Sequence, residues 1–70
     1  GAAELAKWHF KTMGIKADIL NLYNSKEGHT ICVTKDRKRM VSNSNVVNLN
    51  PESWEQDVIK YFNNEYEVII

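Results

Sequence analysis

The sequence predicts a small α+β domain: an N-terminal helix packed on a small antiparallel β-sheet, a second helix, and a C-terminal segment able to add an edge strand. Apolar residues recur at steps of three and four near the N-terminus and again after Asn50, which is the helical period. The stretch between them alternates apolar and polar residues and is broken by turn-forming residues, which is the pattern of short strands. At 70 residues the chain supports one core and therefore one domain, or a trimmed piece of a larger catalytic domain.

In residues 2–13, Leu5, Ala6, Trp8, His9 and Met13 follow the helical period, and Gly14 supplies a C-terminal cap. Residues 15–23 approach strict alternation and end at the turn-rich Asn24-Ser25-Lys26-Glu27-Gly28, so a strand and a loop are expected. Residues 29–34 alternate again, with Ile31 and Val33 on the side of His29 and Thr30, Cys32 and Thr34 on the other. Lys35-Asp36-Arg37-Lys38 makes a polar hairpin tip, and residues 39–43 return as a third strand with Met40 and Val41 as its apolar members. Asn50 as N-cap and Pro51 in the first turn then open a second helix, in which Trp54, Val58, Ile59, Tyr61 and Phe62 fall at helical steps. It ends near Asn63-Asn64, and the β-prone tail of residues 66–70 can form a last edge strand.

Nine basic and nine acidic residues cancel, which removes the net-charge argument for nucleic acid or an anionic membrane as partner. No apolar run is long enough to span a bilayer, so a soluble protein is expected. The lone Cys32 excludes an internal disulfide framework and favours a reducing, cytoplasmic setting. No ligand cluster at zinc spacing occurs, and neither a metal nor an organic cofactor is implied. A small core without staples points to a second copy or further chain as a stabilising partner, with the apolar edge strand of residues 66–70 as the place of pairing.

The residues that could carry chemistry centre on His29, which opens a strand directly after a loop and can sit at the sheet rim as a base. An imidazole in that role needs an acceptor from the neighbouring strand. If Val41 shares the face of Ile31 and Val33, Asn43 and Asn45 face His29; with the other hairpin parity, Ser42 and Ser44 do. Cys32 lies an odd number of positions from His29, points to the other side of the strand, and reads as a small core residue.

Ala2-Ala3-Glu4-Leu5-Ala6, Trp8-His9-Phe10, Gly14-Ile15-Lys16-Ala17, Gly28-His29-Thr30-Ile31-Cys32-Val33 and Val41-Ser42-Asn43 together resemble the core of the transglutaminase-like, papain-like cysteine proteases. In that family a cysteine opens the helix, a small residue follows one turn later, Gly-His begins a strand, and Asp or Asn ends the next one. The resemblance implies His29 as the catalytic histidine, Asn43 as its orienting residue, Ala6 as the small helix position and Ala2 in the nucleophile slot. It also implies a cysteine hydrolase or acyl-transferase acting on peptide or protein substrates, inactive as given because Ala2 carries no thiol. The arrangement has a physical logic, since a helix N-terminus stabilises a thiolate and a neighbouring imidazole completes the ion pair.

Other features read more plainly. His9 is expected on a helix surface, and Trp8, Phe10, Trp54, Tyr61 and Phe62 in core or helix packing. The basic tip 35–39 reads as a solvated face. The alternative function is a non-catalytic interaction module that uses the hairpin tip or the C-terminal edge strand.

Overall fold

The computed structural model describes residues 1–70. Along the chain follow α1 (Ala2–Thr12), β1 (Ala17–Tyr23), β2 (Gly28–Thr34), β3 (Arg39–Ser42), β4 (Asn45–Asn48), α2 (Trp54–Tyr61) and β5 (Val68–Ile69). The strands form one antiparallel sheet in the order β4-β3-β2-β1-β5, with α1 packed on it, so the chain is α+β as its sequence predicts. The tail does become an edge strand, held to β1 by paired backbone hydrogen bonds between Asn21 and Ile70, each 2.8 Å. No helix is long and apolar enough to cross a membrane.

Strand β2 lies at the centre, and its alternation divides the core of the domain into two clusters, one on each face of the sheet. Ile31 and Val33 point to one face, where they join Leu22, Met40, Leu49, Val58 and Tyr66 beneath α2. Cys32 points to the other, where it joins Ala3, Phe10, Ala17 and Val41 beneath α1. Ile31, Cys32 and Val33 are all fully buried, as a strand covered on both sides requires.

Two local devices end the helices in the same way. At α1 the Gly14 N–H bonds the Lys11 carbonyl and the Ile15 N–H bonds that of Phe10, with Gly14 at φ +76°. At α2 the Asn63 N–H bonds Lys60 and the Asn64 N–H bonds Ile59, with Asn63 at φ +57°. Both are Schellman closures, which need a left-handed residue and take Gly or Asn there.

The structure departs from expectation in three places and decides a fourth that the sequence leaves open. The stripe of α1 that packs on the sheet is Ala3, Ala6 and Phe10; Leu5 and Trp8 are 67% and 61% exposed, because the helical period puts them on the opposite side of the helix from that stripe. Residues 45–48 form a strand that their Asn-rich composition did not announce. Helix α2 starts at Trp54 with Ser53 as N-cap, after a turn in which the Glu52 N–H donates to Asn50 Oδ1. Finally, Cys32 pairs with Val41 and Val33 with Met40, so Val41 lies on the face of Cys32. The four-residue tip sets that parity: Asp36 Oδ1 accepts hydrogen bonds from the Thr34 hydroxyl (2.6 Å) and the Lys38 N–H (3.0 Å).

Candidate functional site

His29 stands at the start of β2 because Gly28 precedes it. A Cβ at Gly28 would meet the Tyr23 ring at 3.0 Å, so the cross-strand partner of Tyr23 has to be small. The His29 side chain follows the face of Ile31 and Val33 and is half-buried against Phe62 and Tyr66, whose ring centroids lie 5.3 and 6.2 Å away. Its Nε2 shares a 2.9 Å hydrogen bond with Ser42 Oγ, and Ser42 is itself only 3% exposed.

Asn43 is therefore not the partner of His29. It occupies the two-residue connection between Ser42 and Asn45 at φ +54°, a left-handed position that Asn tolerates, and its side chain is exposed. Its place in the sequence is explained by the turn. Asn45 is likewise exposed, at the start of the edge strand β4.

Ala2 opens α1 and lines a groove with Leu5, Phe10, Val41, Asn43 and Val46. Those neighbours belong to the α1 side of the sheet, whereas His29 belongs to the α2 side. The structure thus puts Ala2 and Asn43 on one groove that His29 does not line, and the His29 imidazole bonds the neighbouring Ser42 instead of Asn43. Cys32, on the α1 side, is fully buried, and burial pushes its thiol above the ordinary range. No group of three or more His, Cys, Asp or Glu side chains is placed to hold a metal ion. His9 is exposed on α1, as expected.

Two cations of the hairpin tip are committed to internal contacts. Asp18 accepts from Lys35 Nζ at 2.7 Å and from Arg37 Nη1 at 2.9 Å, and the Arg37 guanidinium lies 4.7 Å from the centroid of the Trp54 ring. These two cations hold the Asp18 carboxyl below its ordinary value.

What the sequence reading missed is the outer surface of α1. Leu5, Met13 and Val46 are 67%, 53% and 64% exposed around a groove of about 750 Å³. On the other flank of the helix, Trp8 stands beside a second groove of about 690 Å³ against β1. The signal lay in the spacing, since Ala3, Ala6 and Phe10 make a complete helical stripe without Leu5 and Trp8. Comparison with protein-family models, curated proteins and solved structures finds no match.

Proposed function

We propose that the chain is a non-catalytic protein-interaction module whose docking surface is the outer face of α1 together with β4. The observation that carries this reading is the exposure of Leu5, Met13 and Val46 around one groove floored by Phe10 and Val41. Scattered exposed apolar residues are ordinary, but a contiguous patch is costly to leave in water and marks an interaction surface. The occupant that fits is a segment of another polypeptide inserting apolar side chains beside the helix. The tip offers less, because its Lys35 and Arg37 are already paired with Asp18.

A cysteine hydrolase or acyl-transfer centre built on Ala2, His29 and Asn43 lacks this support, since a thiol at position 2 would lie across the sheet from the imidazole. The test is selection from a random-sequence peptide display library against the protein and against a Leu5→Ser/Val46→Ser variant. Both side chains are exposed, so the variant should fold. A class of enriched peptides bearing aliphatic or aromatic residues that is lost on the variant supports the module; no class lost on the variant, or no enrichment at all, overturns it.

A further inference from the structure

The zero net charge conceals a division: residues 1–39 hold eight of the nine basic residues and four of the nine acidic ones, and residues 40–70 hold the reverse excess. Four of those eight basic residues surround the groove beside Trp8. The groove between α1 and β1 has Ile15, Ala17 and Ile19 along its floor and Lys7, Lys11, Lys16 and Lys35 around it, with only Glu4 and Asp18 as acidic members. Lys35 is taken by Asp18, which leaves Lys7, Lys11 and Lys16 exposed and without an ion-pair partner. Lys7 and Lys11 stand one turn apart on α1, where like charges repel, so the free protein gains nothing from their proximity.

We propose that this groove binds an acidic segment of a partner protein, its carboxylates meeting Lys7, Lys11 and Lys16 and a bulky apolar side chain lying on the floor against Trp8. The inference rests on the reading of the outer face of α1 as a docking surface and assigns its second groove a partner chemistry. Charge complementarity selects the acidic partner, and the apolar floor selects a peptide over a polyphosphate backbone. A nucleic acid would require successive aromatic platforms to stack on, and Trp8 is the only aromatic residue in the groove.

The same peptide library tests it with a second variant, Lys7→Glu/Lys11→Glu, which alters only exposed side chains and whose thermal midpoint confirms folding. Selected peptides should carry Asp or Glu next to Leu, Phe or Trp and should lose about tenfold or more in affinity on the variant. Binding should weaken as salt is raised and should shift the Trp8 fluorescence in a Trp54→Phe background. Selection of apolar peptides without acidic residues, unaffected by the lysine changes, would overturn the inference while the module reading stands. Absence of any enrichment overturns both. Competition by a single-stranded oligonucleotide as effective as the peptide would also overturn it and reassign the groove to nucleic acid.

Discussion

His29 Nε2 and Ser42 Oγ lie 2.9 Å apart on the α2 face of the sheet, and this contact locks the start of β2 to the end of β3. It sits beyond the two residue pairs that join those strands, Cys32 with Val41 and Val33 with Met40, and so extends their attachment by a side-chain link.

Ser42→Ala should therefore destabilise the fold by about 1 kcal/mol, the net value of one partly buried hydrogen bond. In a urea titration the midpoint should fall with an unchanged slope, because the surface exposed on unfolding stays the same. A midpoint equal to that of the wild type would show that the imidazole finds water as readily as the hydroxyl.

Ala2→Cys should give a thiol whose alkylation against pH is indifferent to His29→Ala. A helix N-terminus lowers a thiol pKa by itself, so the absolute value is not diagnostic. The difference between the two backgrounds is, since an imidazole across the sheet cannot form the ion pair. A shift upward on removing His29 would restore the cysteine-protease reading.

Cys32 should resist thiol reagents in the native protein at neutral pH. Burial at the centre of the α1 core disfavours its thiolate and blocks access. Labelling should appear only as the chain opens, and its denaturant dependence should follow that of global unfolding. Rapid labelling under native conditions would mean that α1 lifts from the sheet on its own.

Asp18 should contribute to an acid limb in the stability profile. Hydrogen bonds from Lys35 and Arg37 depress its folded pKa below the ordinary 3.8. Its unfolded form therefore takes up protons first as pH falls. The stabilisation is complete above about pH 4 and is lost as pH drops through the folded value. Asp18→Asn should flatten that limb without abolishing it, because Asp36 is also depressed, by the Thr34 hydroxyl and the Lys38 N–H. An unchanged slope in thermal midpoints between pH 2 and 5 would show that the pair is screened by solvent.

The fold was legible where one residue type had one job. Gly14 and the pair Asn63-Asn64 marked helix ends because left-handed closures accept few side chains. The alternation through Ile31, Cys32 and Val33 separated the faces of β2 correctly. Strand β3 resisted because Met40 and Val41 are both apolar, so either can face either core, and only the tip chemistry of Thr34 and Asp36 decides between them. The candidate site inherited that ambiguity: one parity gave Asn43, the other Ser42, and the structure adopts the second. In α1, side-chain bulk misled, since large apolar residues draw the eye while Ala3 and Ala6 make the contact.

Leu5, Lys7, Trp8 and Lys11 belong to neither buried cluster, although they share a helix with Ala3 and Phe10, which do. The helix is thus held by one set of letters and displayed by another. Diversifying the displayed set would leave folding intact while changing what is recognised, which makes this chain a small, cysteine-poor scaffold for engineered binders.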